Sequence, residues 1–195
     1  MRLLTILVIP FLLYGCISKR EQEATGNTVA PSFDEKKEQA AIMSVIEKET
    51  DCFFKRDYEC WKQCFAQTDY SFQAWNNSDG TVDTKSGWKE IDKRIKSYLT
   101  NPENQPKKKN MGQEQSKQKI SSSHPTVIRK NMVWKFFSPQ LAYLMWDQYN
   151  SDPDEKRFTF SKDCRIIEKI NSEWKIVNVS SYWDYRNMHS FESLK

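Results

Sequence analysis

Histidine is scarce in this chain, with only His124 and His189, and the five cysteines include no CxxC pair. The ligand spacings of a zinc site are therefore missing, and neither a metal nor a cofactor is expected. A dominant charge of one sign is missing too. The 30 Lys and Arg are set against 26 Asp and Glu, a net charge of +4. Binding to a phosphate backbone needs basic charge concentrated on one face, so nucleic acid is excluded as a partner. Nor does the apolar run over residues 3–13 reach the roughly 20 residues that a spanning helix needs. Aromatic residues, in contrast, are plentiful, with 7 Trp, 8 Tyr and 11 Phe supplying much of the burial. Of 195 residues, those behind the leader and linker suffice for one domain of ordinary size.

The front of the chain carries an address. Arg2 gives a short positive region, the apolar run follows, and Leu13-Tyr14-Gly15 ends on Cys16. This resembles the leader of bacterial lipoproteins, in which residues 1–15 would be removed and Cys16 acylated. The resemblance implies a bacterial cell-envelope protein held to a membrane by its lipid, on the periplasmic or extracytoplasmic side. Each buried lipid CH₂ contributes about 0.8 kcal/mol, so a multiply acylated Cys16 anchors firmly. Residues 16–37 are polar or small and read as the acylated cysteine and a tether, with the domain proper at 38–186 and a tail at 187–195.

Within the domain, Ile42, Val45, Ile46, Glu49, Cys52 and Phe53 follow helical spacing, a core-facing stripe interrupted only at Glu49. Asp57 looks like the cap of a short second helix carrying Tyr58, Trp61 and Phe65. A strand at 70–75, a turn at Ser78-Asp79-Gly80 and a strand at 81–83 follow. Ser86 then caps a third helix with Trp88, Ile91, Ile95, Tyr98 and Leu99 on one face. Residues 101–118 have no apolar periodicity and read as a mobile loop whose Lys107-Lys108-Lys109 run is solvated. Strands are expected at about 119–129, 131–137 and 141–150. The second and first of these read equally as one bent strand.

Residues 157–185 read as a long hairpin. Phe158, Phe160, Cys164, Ile166 and Ile170 share one parity, and Thr159, Ser161, Asp163, Arg165 and Lys169 the other, so the apolar parity is expected to lie against the helices. Asn171-Ser172 is the turn. The return strand has apolar residues on both parities, as suits a strand well inside a sheet. In the 141–150 strand, Tyr143, Met145, Asp147 and Tyr149 oppose Ala142, Leu144, Trp146 and Gln148, with neither face marked as the inner one.

The order of helix, short helix, hairpin, helix and strand meander resembles the nuclear-transport-factor-2-like superfamily, in particular its SnoaL-like branch. The likeness is carried by Phe53-Phe54-Lys55-Arg56-Asp57-Tyr58, Cys64-Phe65-Ala66, Gly87-Trp88-Lys89-Glu90-Ile91, Leu141-Ala142-Tyr143 and Ile170-Asn171-Ser172-Glu173-Trp174-Lys175-Ile176. It implies an α+β fold, a cone-shaped curved antiparallel sheet packed on N-terminal helices in a cystatin-like roll. It also implies a pocket at the open end of the cone, for which Trp75, Trp88, Tyr143, Trp146 and Trp183 are candidate walls, and a possible homodimer through the sheet face. The ligand expected is a small apolar molecule or a protein partner. Isomerases of this superfamily place a general base where Gln73 falls here, and an amide cannot abstract a proton. Their tyrosine falls near Glu49 and their second acid near Arg165-Ile166. Asp147, Glu49 and Asp163 are the acids left for a lyase, cyclase or isomerase of other geometry. Cys52, Cys60, Cys64 and Cys164 remain once Cys16 is assigned to lipid. A bond from Cys52 to Cys60 or Cys64 across the helical corner is the best geometric pairing, against four buried free thiols.

Overall fold

The computed structural model describes residues 33–102, 124–152 and 155–195, so the leader, Cys16, most of the tether and nearly all of the 101–118 loop lie outside the described residues. The first helix, α1, runs Glu35–Phe54 and is capped by Asp34, whose carboxylate accepts from the Lys37 backbone N–H at 3.1 Å. It therefore begins inside the stretch read as tether. At the corner after α1, Arg56 has a φ of 58°, and α2, Tyr58–Gln63, starts under the expected Asp57 cap.

Strands β1, Phe72–Asn76, and β2, Val82–Ser86, form a small hairpin ahead of α3, Trp88–Thr100. Ser86 belongs to β2 and does not cap α3. Gly87 does, with a φ of 77° and its Cα so close to Asp69 that an added Cβ would meet that carbonyl oxygen at 3.3 Å. The remaining strands are β3, Val127–Ser138; β4, Leu141–Ser151; β5, Arg157–Ile170; and β6, Glu173–Ser190. The stretch at 127–138 is indeed one bent strand, kinked where Asn131 takes a φ of 53°. Asn171 and Ser172 both have positive φ, the requirement of a tight hairpin turn that follows strand twist.

The six strands form one open curved sheet in the order β2-β1-β6-β5-β4-β3. Its single parallel pair, β1 with β6, makes the sheet mixed and not wholly antiparallel as expected. The helices fill its inner face, where Ile42, Ile46, Trp61, Leu144, Trp146, Ile167 and Ile176 are essentially inaccessible. Glu38 fastens α1 to the β5–β6 hairpin, accepting from Lys169 Nζ at 2.8 Å and Trp174 Nε1 at 2.6 Å. The residues read as a tail continue β6 to Ser190. His189 packs there against Tyr149 and Phe160, and the short turn Glu192–Leu194 buries Leu194.

Side-chain direction in β5 is the reverse of the expectation. Ser161, Asp163, Arg165 and Ile167 are the buried residues facing the helices, and Ile166 is exposed. Phe158 is buried on the other parity because Phe191 packs on it, ring centroids 6.1 Å apart. In β6 the apolar residues on both parities have a local cause. The register shifts between Ile166 and Ile167, so that Ile166 pairs with Asn178 and Ile167 with Ile176, leaving Val177 as an extra residue. Beyond that bulge the inward parity passes from Trp174 and Ile176 to Val179 and Ser181.

Candidate functional site

Where the C-terminal half of α1 crosses β3, β4 and β5, the inner face of the sheet turns from apolar to ionisable. Glu49 occupies the helix stripe one turn beyond Ile46, so the same periodicity that buries Ile42 and Ile46 carries its carboxyl inward. The residue keeps some solvent contact while its carboxyl end is enclosed. That oxygen accepts from Trp61 Nε1 at 3.0 Å. Burial pushes its pKa above the ordinary carboxylate range, opposed by Arg165 and by the Trp61 hydrogen bond, so the protonated form is favoured relative to an exposed glutamate.

Facing Glu49 from β5 is an ion pair with almost no exposure. Arg165 Nη2 lies 3.1 Å from Asp163 Oδ2, the two side chains retaining 7% and 2% of their accessible surface. Asp163 also accepts from the hydroxyls of Ser161 at 2.7 Å and Ser181 at 3.0 Å. Arg165 Nη1 donates to the Cys164 carbonyl at 3.0 Å. From β3, Arg129 Nη2 donates to the Thr50 hydroxyl at 2.8 Å. Burial and the neighbouring Arg165 charge lower the Arg129 pKa, with Glu49 working against them. Both guanidinium carbons sit over the indole of Trp146, Arg165 at 5.1 Å and Arg129 at 5.9 Å. The Nε of each arginine is buried without a hydrogen-bond partner among the described residues. Trp146 Nε1 donates to Gln148 Oε1 at 3.1 Å.

Beside this end of the interior, between α1 and the start of β3, lies a cavity of about 420 Å³ that meets the cluster at Arg129 and Thr50. Its lining includes Glu47, Thr50, Asp51, Thr126, Arg129 and Glu155. Buried Asp and Glu are rare in such an interior unless paired, and four ionisable groups, of which Arg129 and Arg165 share the Trp146 indole and Glu49 is held by Trp61, are costly to bury. The arrangement can present two guanidinium groups, a carboxylate held by serines and a carboxyl biased to keep its proton.

The candidate walls divide among different surroundings. Trp146 is the floor of the cluster and fully buried. Trp88 stacks on Trp61 at 6.2 Å within the apolar core. The Trp75 ring is covered by the Arg94 guanidinium at 3.6 Å, and Trp183 sits beside Tyr185 on β6. Tyr143 faces outward, on the opposite side of β4 from Trp146, so these five do not converge on one pocket. Asp147 is likewise on the outer face, ion-paired with Lys162 and accepting from Asn131 Nδ2 at 2.6 Å. Burial acts upward on its pKa, but the bonds from Lys162 and Asn131 outweigh it and hold it below the ordinary range. It has no part in the interior. Gln73, buried on β1, stands as an amide. Of the expected acids, Glu49 and Asp163 belong to the cluster; Arg165 was marked only as standing near the superfamily's second acid, and Arg129, Thr50 and Trp61 carried no signal in the sequence beyond helix spacing and strand parity.

Cys52 is bonded to Cys60, Cα atoms 5.6 Å apart, which selects one of the two open pairings. Cys64 is buried and its thiol is pushed up to about 11 by that burial, so it is an inert core residue. Cys164 lies on the outer face, with the Tyr143 hydroxyl 3.7 Å away.

The open curved sheet closed by helices is an α+β roll of the nuclear-transport-factor-2-like fold. No family model and no curated protein matches the sequence. Among solved structures, the chain is similar to a nuclear-transport-factor-2-like protein of unknown function from Pseudomonas putida, at 10% identity and a TM-score of 0.52, covering 80% of this chain and 94% of the other. It is similar to another such protein of unknown function from Shewanella oneidensis, at 16% identity and a TM-score of 0.50, covering 74% and 98%. At such identity the likeness concerns the fold.

Proposed function

We propose that the chain is a lipid-anchored binding domain that holds a small molecule at the Glu49, Asp163, Arg165, Arg129 cluster. The observation that carries this reading is the buried ionic cluster itself. An apolar repacking of the same space would cost no more and often less stability, so the charges are kept for what they contact. They favour a ligand with a polar end over a wholly apolar one. The leader ending on Cys16 supports the anchor, and no described helix is long and apolar enough to cross a membrane. Labelling with a fatty-acid analogue should mark the chain and fail on Cys16→Ser. For the site, native mass spectrometry and thermal shift across metabolite panels should find a ligand whose stabilising effect disappears in a variant carrying Asp163→Asn and Arg165→Met. An equal shift in that variant would put the ligand elsewhere.

The outer sheet face supports a homodimer. Val133, Ile166 and Tyr182 are 48%, 37% and 52% exposed there, around the half-buried Tyr143 and Met145. Sedimentation should show a dimer that Val133→Glu with Tyr182→Glu converts to monomer; a wild-type monomer at high concentration removes the idea.

A second reading, a lyase, cyclase or isomerase, rests on Glu49, whose enclosed carboxyl favours its protonated form and suits a general acid. Under it, Glu49→Gln abolishes turnover of a bound substrate while binding persists. Turnover surviving in Glu49→Gln would dismiss it.

A further inference from the structure

The cavity beside the cluster sorts its charges by depth. Arg129 and Thr50 are half-buried members of its lining, and Arg165, which does not line it, shares the Trp146 ring with Arg129. Glu47, Asp51 and Glu155, all exposed, form its rim. The three rim carboxylates differ in what they already hold. Asp51 is occupied by Lys55 at 2.9 Å and His124 at 3.0 Å. Glu155 accepts only the Thr126 hydroxyl, at 2.7 Å, and Glu47 makes no ion pair or hydrogen bond among the described residues. At the deep end the excess runs the other way. Arg129, in the lining, keeps a buried Nε without a partner among the described residues, and so does Arg165 beyond it, where Asp163 is already shared between Arg165 and two serines.

A metal ion does not answer this arrangement, because no three His, Cys, Asp or Glu side chains of the described residues converge closely enough to hold one. A simple anion would satisfy the deep end and be repelled at the rim. A simple amine would do the reverse. A molecule with a carboxylate at one end and an ammonium at the other matches both, because a guanidinium binds carboxylate through paired N–H donors and an ammonium is shared readily between spaced carboxylates.

We propose that this cavity binds an amino-acid-like zwitterion, its carboxylate on Arg129 at the deep end and its ammonium between Glu47 and Glu155 at the rim. The proposal rests on the ligand-site reading above and names the ligand class. The test uses purified full-length protein and three probes of matched length, aminohexanoate, hexanoate and hexylamine, with affinities measured by calorimetry or ligand-observed NMR. Aminohexanoate should bind at least about tenfold more tightly than either single-ended probe. Arg129→Gln should reduce its affinity to that of hexylamine, and Glu47→Gln should weaken aminohexanoate and hexylamine while tightening hexanoate, which the rim charge repels. Glu47 is exposed, so its variant reports on binding even if Arg129→Gln melts early by circular dichroism. A single-ended probe that binds as tightly as aminohexanoate overturns the zwitterion. So does the failure of all three to bind while another metabolite shifts the melting temperature through the cluster, an outcome that leaves the ligand site standing. If no metabolite shifts it, both readings fall together.

Discussion

The Asp163–Arg165 pair offers the sharpest test of whether the interior charges serve stability or binding. With 2% and 7% of their side-chain surfaces accessible, both ions have given up nearly all hydration, and neither alternative partner replaces the other fully. Asp163→Asn preserves shape, but Ser161 and Ser181 donate to different carboxylate oxygens, so the amide can accept from one of them and must donate to the other; it also leaves the Arg165 charge facing only Glu49, which burial biases toward neutrality. Arg165→Met leaves a buried carboxylate with two hydroxyl donors. Stranding one member of a buried pair costs roughly 3–5 kcal/mol, and the amide variant should fall at the low end of that range. The double variant strands no charge and should recover most of the loss, giving a coupling of at least about 2 kcal/mol in a double-mutant cycle. Urea unfolding, with midpoints and slopes compared across the four proteins, measures this directly. Losses that simply add, within about 0.5 kcal/mol, would show that the two side chains act independently and would refute the argument.

Cys52→Ser with Cys60→Ser should lower stability by about 2.5 kcal/mol in the chain-entropy account, because the bond closes a loop of only 8 residues; urea midpoints with and without reductant should agree with that loss. Gly87→Ala should cost about 1–2 kcal/mol, since φ is 77° and the new Cβ meets the Asp69 carbonyl oxygen at 3.3 Å; a neutral result in thermal melts would mean that the corner relaxes. For Glu49 the folded pKa is raised, so folding holds its proton more tightly than the unfolded chain does. Its contribution to stability is greatest at and below the ordinary carboxylate range and declines as pH rises from there toward the folded value. Wild type minus Glu49→Gln, from unfolding midpoints between about pH 4 and 8, should show that decline, and a pH-independent difference would contradict it. The lowered carboxylates Glu38, Asp51 and Asp147 act in a separate window, losing their contribution as pH falls below the ordinary range.

Features set by near neighbours in sequence were legible. The α1 stripe, the Asp57 cap and the Asn171-Ser172 turn each depend on a few residues with strong local preferences, and all three form as read. The parity of β4 was equally plain, but parity carries no sign: Tyr143 and Trp146 were both offered as pocket walls although alternation placed them on opposite faces. Asp147, on the same parity as Tyr143, lies on the outer face with Lys162 and Asn131 and apart from the cluster. The sign of β5 misled outright, because polarity is the usual index of exposure and here Ser161, Asp163 and Arg165 are inside. Pairings distant in sequence, such as Phe72 with Asn178 in the parallel β1–β6 ladder, left no local trace. Glu49 looked like a fault in an apolar stripe; it is the point at which the helix meets the cluster.

The inversion in β5 has a consequence for how the strand keeps its place. A slip of one residue would turn Phe160, Cys164 and Ile166 toward the helices and expel Asp163 and Arg165, which is the outcome that burial of apolar surface alone would favour. Register must therefore be fixed by other means. The two-residue turn at Asn171-Ser172 ties β5 to β6 at one end, and β6 is in turn committed by Trp174 and Ile176 in the core. Within the ladder, Ser181 of β6 stands directly opposite Asp163 and donates to it, so the inner polar network aligns the two strands. On the outer side a second copy covering Ile166 would remove the apolar exposure that the native register leaves behind. One strand thus carries the ion pair on one face and apolar surface on the other: within, Ser161 and Ser181 hold Asp163 in place, and without, the exposed Ile166 is what the proposed second copy would cover.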